Sequence, residues 1–224
     1  MIVTDSTAYF SAGLADELGV RIVALRVRLG DWEFAEPSVD PREFYRRLRE
    51  SDETPTTSQP APGDFLAAFN AAAGDGVERI LCITCSASLS GTHQSASVAA
   101  GLASIPVDVI DSGTMSGGLL LTVSTVARAL AEGMPYDEAI ALARSMSGRV
   151  WSTWSADTTA LLEAGGRLAA DIPDGVPILG LEGGTIRMLG SARSVEQSVE
   201  LQVETILISA ASSATRVAVG HGDV

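Results

Sequence analysis

The sequence predicts an α/β protein, with an N-terminal domain on a parallel sheet and a second α/β domain whose sheet is mixed or antiparallel. Two observations support this fold class. Short runs of β-branched and other apolar residues alternate with amphipathic stretches of helical length, which is the pattern of successive βαβ units. Late in the chain, PILGLEGGTIRML predicts a hairpin turning at Gly183-Gly184, and a hairpin joins antiparallel strands.

Local signals place the elements of the N-terminal domain. Asp40 suits an N-cap and Pro41 the first helical position, so a helix is predicted to begin there. The segment RIVALRVRL (21–29) alternates apolar residues with arginine, which predicts one strand with a wet face. The remaining predictions are strands at 1–4, 79–84 and 107–110, helices at 11–18, 63–73, from 93 onward, 114–132 and 136–146, and an extended proline-rich loop at 54–62.

A domain boundary is predicted near Gly148, which divides the chain into domains 1–148 and 149–224. The second domain is predicted to contain a strand at 151–155, a helix ending in Gly165-Gly166-Arg167, the hairpin, a helix at 195–211 and a strand at 216–219.

The composition excludes several classes of function. Acidic residues number 28 against 15 basic ones, a balance opposite to that of a nucleic-acid-binding protein. All the cations are arginine, and without lysine there is neither a P-loop nor a Schiff-base enzyme. The N-terminus lacks the features of a signal peptide, and the longest apolar stretch is far too short to span a membrane. A cytoplasmic protein with no integral membrane segment is therefore expected.

Cys82 and Cys85 have the spacing of a redox or metal motif. In a buried strand, however, positions i and i+3 point to opposite faces, and no second Cys/His pair is present to complete a zinc site. Core packing is therefore expected for both thiols, and no metal site is predicted.

Two hydroxyl-rich segments are the best candidates for a binding site. TTSQ (56–59) and SASLSGT (86–92) carry many short hydrogen-bond donors, and the second leads into a helix N-terminus, which favours an anion. Neutral donors suit a single charge such as a carboxylate, although caps and turns would use the same residue types. A serine nucleophile is an alternative, with His93 nearby and with Asp5 and Asp111 at strand ends, but spacing alone does not bring these groups together.

The chain resembles the DegV family, and the likeness covers nearly its whole length. The resemblance rests on IVTDST, TSQPAPGDF, ITCSASLSGTHQSA, VIDSGTMSGG and LLEAGGRL, in the family's order and spacing. It implies a protein that binds a long-chain fatty acid and, in some bacteria, serves as the acyl-binding subunit of a fatty acid kinase. It also implies no catalytic residue, no cofactor and a separate kinase subunit as a possible partner.

Five residues carry over from the family's motifs. The resemblance implies that the fatty-acid carboxylate is held by Thr57, Ser58, Ser86 and Ser90, and that Arg167 of the GGR motif contacts the kinase. The chain departs from the family pattern at Ala87, where a second serine is usual, and at Glu163-Ala164, where lysines are usual. Family members also continue for several dozen residues, with a late histidine motif, so the resemblance implies a second domain that is shorter than theirs.

Three functional hypotheses follow, the third of which is a plain structural or sensing module. In the first, the chain carries a fatty acid whose carboxylate lies on the hydroxyl loops and whose tail is buried between the domains, for presentation to a kinase. In the second, the chain is a small-molecule enzyme, a hydrolase or a phosphotransferase-like protein, that uses the same hydroxyl-lined cleft.

Overall fold

The computed structural model describes residues 1–11, 13–156, 159, 162–163, 165–168, 174–210 and 217–219. They divide into two compact units: Met1–Val150, joined by the chain from Ala218, and Trp151–Val217. The predicted boundary after residue 148 falls near this division. The predicted second domain, 149–224, also included the chain from Ala218, which belongs to the first unit.

A parallel sheet forms the centre of the first unit, as predicted. Its strands are β1 (Ile2–Asp5), β2 (Val20–Val23), β6 (Ile80–Thr84) and β7 (Val107–Asp111), in the order β2-β1-β6-β7. Since β1 and β6 are the inner strands and every residue in them is buried, they carry apolar residues on both faces.

Helices cover both faces of this sheet. The helices of the first unit are α1 (Leu14–Glu17), α2 (Pro41–Glu50), α3 (Pro62–Gly74), α4 (Thr92–Ala100), α5 (Gly117–Ala131) and α6 (Tyr136–Met146). Leu81 and Ile83 of β6 pack in a core cluster with residues of α5 and α6, whereas Cys82 packs on the other face with Phe65 and Phe69 of α3. The alternation along β6 thus builds two cores from one strand.

The prediction of one strand over 21–29 is wrong. The segment forms two strands, β2 and β3 (Arg26–Leu29), which belong to different sheets. The break occurs at Leu25, whose N–H donates to Ser6 Oγ at 2.9 Å and whose carbonyl accepts from the N–H of Glu36 at 2.8 Å. These tertiary hydrogen bonds replace the ladder bonds that a continuous strand would make at this residue.

The second sheet of this unit is small and antiparallel. It contains β3, β4 (Trp32–Ala35) and β5 (Thr56–Ser58) in the order β4-β3-β5. The proline-rich loop predicted at 54–62 therefore contains a short edge strand. Helix α2 begins at Asp40, whose side chain caps it as predicted, and Arg47 of α2 stacks 4.3 Å above the Trp32 ring.

The second unit has an antiparallel sheet with the order β10-β9-β8, which confirms the predicted sheet type. Strands β9 (Val176–Glu182) and β10 (Thr185–Ala192) form the hairpin, and β8 (Ser152–Ser155) pairs with β9. Gly183 and Gly184 have φ values of 54° and 79°, which is why the tight turn requires glycine.

A helix, α7 (Val195–Ala210), follows the hairpin. The strand predicted at 216–219 is not formed at 217–219, and Arg216 lies outside the described residues. None of the helices described is both long enough and apolar enough to cross a membrane.

Candidate functional site

The hydroxyl loop, residues 85–91, begins where the inner strand β6 ends and leads into α4. It therefore lies at the carboxyl edge of the parallel sheet, with β1 and β7 on either side of its strand. Ligands of open α/β folds bind at this edge, because the strand-to-helix loops and helix N-termini converge there.

Three consecutive backbone N–H groups hold the start of this loop in place. Cys85 donates to Asp5 Oδ2 at 2.7 Å, Ser86 to the carbonyl of Thr114 at 2.7 Å, and Ala87 to Asp111 Oδ1 at 3.1 Å. Asp5 lies at the end of β1, whereas Asp111 and Thr114 lie at the end of β7 and just after it, so the loop is held from both neighbouring strands.

The hydroxyl groups of the loop and of the first residue of α4 form two pairs. Ser86 Oγ lies 2.8 Å from Ser88 Oγ, and Ser90 Oγ lies 2.8 Å from Thr92 Oγ1. In each pair one member is buried, since Ser86 is 1% exposed and Thr92 0%. The other members, Ser88 and Ser90, are exposed and half-buried respectively, so they are the hydroxyls nearer to solvent.

Ser90 accepts one hydrogen bond at the start of α4, and in its contact with the Thr92 hydroxyl either oxygen can be the donor. Its Oγ accepts the backbone N–H of Thr92, the first residue of α4, at 3.3 Å, while Gly91 occupies the N-cap position itself. Because a hydroxyl has one proton and two lone pairs, accepting this bond does not use the O–H. Ser90 can therefore accept a bond from the start of α4 and also donate to an anion, two roles that the sequence presents as alternatives.

The predicted residues Thr57 and Ser58 lie on β5. In the antiparallel pairing with β3, Thr57 is opposite Val27, and Ser58 is opposite Arg26. Both are exposed, but successive strand residues point to opposite faces of a sheet. Ser58 therefore shares a face with Arg26, while Thr57 lies on the face of the buried Val27, and the two side chains do not converge.

Gln59 joins the β5 segment to the hydroxyl loop. Its side-chain amide packs against Gly91, so that a β-carbon built on Gly91 would stand 2.7 Å from Gln59 Cδ and 2.8 Å from Oε1. The structure thus brings together the two hydroxyl-rich segments that the sequence singled out. The contact itself was not predicted, because the sequence gives no distance between loops.

A buried carboxylate underlies the loop. Asp5 is fully buried at the end of β1, and its Oδ1 accepts the N–H and the hydroxyl of Thr7 at 3.1 and 2.6 Å. Burial raises the pKa of Asp5, while the hydrogen bonds from Thr7 and Cys85 act in the opposite direction.

The two cysteines are free and buried, as expected for core residues. They lie on opposite faces of the sheet, because Cys82 belongs to the α3 side of the core and Cys85 to the α5 side. Burial raises the pKa of the Cys85 thiol to about 12, with a smaller contribution from the nearby Asp5 carboxylate.

The geometry does not assemble the serine-nucleophile arrangement from the residues described. His93 Nδ1 lies 3.3 Å from Thr84 Oγ1, while Asp5 and Asp111 both accept from backbone N–H groups. His221 lies outside the described residues. In the described part of the chain, no group of three or more His, Cys, Asp or Glu side chains is placed to hold a metal ion.

Arg167 lies in the second unit, exposed, in a turn. Gly166 before it has a φ of 66°, and the N–H of Arg167 donates to the carbonyl of Leu162 at 2.8 Å. The turn therefore displays the side chain at the surface of its unit.

Fold and site define an α/β protein with a hydroxyl loop at the carboxyl edge of a parallel sheet. The family described as "Uncharacterised protein, DegV family" matches residues 1–224. A DegV domain-containing protein of Streptomyces coelicolor is 33% identical over 98% of this chain and 80% of its own length. One from Halalkalibacterium halodurans is 34% identical over 96% of this chain and 79% of its own. The chain belongs to the DegV family.

Two solved structures share the fold. A structure described as "Fatty Acid Binding of a DegV family Protein from Thermus thermophilus" has 30% identity and a TM-score of 0.85, over 94% of this chain and 78% of that one. A DegV lipid binding protein from Thermotoga maritima has 26% identity and a TM-score of 0.82, over 92% and 75%.

Proposed function

We propose that this protein binds a long-chain fatty acid and that the hydroxyl loop, together with the β5 segment, holds its carboxylate. The observation that carries the proposal is the packing of Gln59 on Gly91, which brings the two hydroxyl-rich segments together at the carboxyl edge of the sheet. The descriptions of the relatives from Thermus thermophilus and Thermotoga maritima, as fatty acid binding and lipid binding, support the same ligand class.

The donors best placed for the carboxylate differ in their access. We assign the role of principal donor to Ser90, which is half-buried and can donate to the ligand while it accepts from the Thr92 hydroxyl. Ser86 is buried, and it acts through Ser88, whose Oγ it contacts. On β5, Thr57 and Ser58 point to opposite faces of the sheet, so we propose that one of them donates to the carboxylate by its side chain, and Thr57 is the one tested below.

The affinity comes mainly from the acyl tail. Each buried CH₂ contributes about 0.8 kcal/mol, so a tail of about fifteen carbons supplies roughly 12 kcal/mol before ordering costs. A hydrogen bond to the charged carboxylate adds about 1.5–3 kcal/mol. The hydroxyl loop therefore orients the ligand and selects an acid, while the tail holds it.

Titration of acid and ester tests the carboxylate site. A methyl ester of equal length keeps the tail and lacks the charge, so wild-type protein should bind the acid more tightly. Thr57→Ala and Ser90→Ala should each weaken acid binding about ten- to a hundredfold and reduce the acid-over-ester preference. Because both serve one carboxylate, their effects should be non-additive.

Ser97→Ala is the matched control for this titration. The Ser97 hydroxyl donates to the carbonyl of His93 at 2.9 Å inside α4, so its loss should leave the acid-over-ester preference unchanged. An unchanged preference in both the Thr57 and Ser90 variants would refute the assignment of the carboxylate site.

The bound acid is, in our proposal, presented to a separate fatty acid kinase subunit, with Arg167 at the contact. Exposed charges at an interface rim act mainly on association. Arg167→Ala should therefore leave fatty-acid affinity unchanged and slow phosphorylation of the bound acid by the kinase. An equal loss of both would assign Arg167 to the ligand or the fold instead.

The binding function fits the described geometry better than the alternative of a small-molecule enzyme. An enzyme of the serine type needs a base within hydrogen-bonding reach of a serine hydroxyl. The described contact of the His93 ring is with Thr84, and the hydroxyls of the loop contact each other. These contacts support a site of neutral donors.

A further inference from the structure

Two aspartates hold the hydroxyl loop from opposite sides. Asp5 is the last residue of β1 and Asp111 the last residue of β7, and β6, which leads into the loop, lies between these strands. Each side chain accepts a backbone N–H of the loop, from Cys85 and from Ala87 respectively. Both side chains thus hold the protein's own backbone.

Asp5 uses both of its carboxylate oxygens. Oδ2 accepts from Cys85, while Oδ1 accepts the N–H and the hydroxyl of Thr7. The side chain is fully buried, so water does not replace a lost bond. An asparagine at this position would present an NH₂ group to one of these donors, and at least one of the backbone bonds would be lost.

Asp111 uses a single oxygen for both of its contacts with backbone N–H groups, one in the hydroxyl loop and one just after β7. Oδ1 accepts from Ala87 at 3.1 Å and from Gly113 at 2.9 Å. An asparagine can keep both bonds through its carbonyl oxygen, whereas an alanine keeps neither. The two aspartates therefore differ in how they should respond to the same isosteric substitution.

We propose that Asp5 and Asp111 are positioning residues of the carboxylate site, which act on the ligand through the hydroxyl loop that they hold. This inference rests on the proposed function. A loop that is already fixed needs little further ordering when a ligand binds, so Ser88 and Ser90 can donate without an added entropic cost. The hydroxyls then select an acid because their direction is set before binding.

Asp111→Ala and Asp111→Asn form the test, with palmitic acid and its methyl ester as ligands. In ligand-free protein, Asp111→Ala should speed hydrogen exchange of the Ala87 amide about tenfold, since the opening of the loop becomes easier. It should also lower the acid-over-ester affinity ratio about fivefold while ester affinity stays within about twofold of wild type. Asp111→Asn should match wild type in both measurements.

Asp5→Asn provides the second arm. It should lower the ratio of acid affinity to ester affinity at a temperature where circular dichroism shows the variant folded. The substitution is as conservative as Asp111→Asn, which we expect to match wild type. The positioning role is overturned if the Ala87 amide of Asp111→Ala exchanges at the wild-type rate. It is also overturned if that exchange is faster but the acid-over-ester affinity ratio does not change. A uniform fall of acid and ester affinity would likewise overturn it, because it would indicate a structural role.

The measurement on wild-type protein distinguishes the proposed carboxylate site from the proposed positioning role of the aspartates. If wild-type protein shows no preference for palmitic acid over its ester, the proposed carboxylate site is wrong. In that case the exchange rates of the Ala87 amide in the two Asp111 variants still show whether the aspartate holds the loop, since that measurement uses no ligand.

Discussion

Replacing Gly91 by alanine should disturb the relation between the two hydroxyl-rich segments without unfolding the protein. Gly91 has φ −70° and ψ 5°, which alanine adopts without strain, so the backbone does not require glycine here. The added methyl group would overlap the Gln59 amide, whose Cδ would lie 2.7 Å away. Because that amide is the end of a flexible side chain, we expect it to rotate away rather than the backbone to move.

The expected effect is moderate. Forcing the Gln59 side chain out of its preferred conformation costs about 0.5–1.5 kcal/mol, which corresponds to about two- to tenfold weaker binding of a long-chain acid. Alanine is also a poorer N-cap than glycine, so Gly91→Ala should lower the melting temperature whether or not Gln59 is present. Isothermal titration measures the first effect, and calorimetry the second.

A double-mutant cycle with Gln59→Ala isolates the contact. Once the glutamine is removed, the methyl group at position 91 meets no amide, and Gly91→Ala should then change acid affinity less than twofold. Gly101→Ala, at the other end of α4, is the control, since its β-carbon would meet only the Val98 carbonyl at 3.6 Å. An equal effect of Gly91→Ala with and without Gln59 would refute the role of the contact.

Three further predictions concern stability and reactivity. Ser116 has φ 51° and ψ −132°, a turn geometry that favours glycine. Ser116→Gly should therefore raise the free energy of unfolding by about 0.5–2 kcal/mol. An unchanged midpoint of urea unfolding would contradict this prediction. The buried thiols of Cys82 and Cys85, the latter with its pKa raised to about 12, should react with Ellman's reagent at pH 8 only after denaturation, and rapid labelling of folded protein would show otherwise. Hydrogen bonds from Arg46 and Arg47 lower the pKa of Glu43 from 4.5 to about 2, so its contribution to stability is present above pH 4.5 and is lost as the pH falls toward 2. Glu43→Gln should be less stable than wild type at pH 7, and the difference should shrink steadily as the pH falls from 4.5 through 2, whereas a constant difference over that range would argue against the ion pairs.

The sequence by itself determined the elements whose signals are local. Helix α2 begins where Asp40 and Pro41 predict it, because an N-cap and a first-turn proline act within a few residues. The second-unit hairpin turns at Gly183 and Gly184, since only glycine adopts those backbone angles readily. The parallel sheet and the position of the hydroxyl loop at its edge follow from the alternation of strands and helices.

Some parts of the fold depended on tertiary contacts. The pattern of 21–29 is the same whether the segment is one strand or two, and it was the hydrogen bond from Leu25 to Ser6 that decided between them. Likewise, the prolines around 54–62 predicted a loop, but pairing with β3 made Thr56–Ser58 a strand. A single sequence does not encode which distant segment will supply a partner for a backbone group.

The same reason limits what the sequence determined about the site. It identified the hydroxyl loop by its composition, but Ser86 and Ser88 are indistinguishable there, and only packing made one buried and the other exposed. It also placed Asp5 and Asp111 at strand ends without showing what they contact. Sheet order brought both to one loop, because strands distant in the chain become neighbours only when the sheet forms.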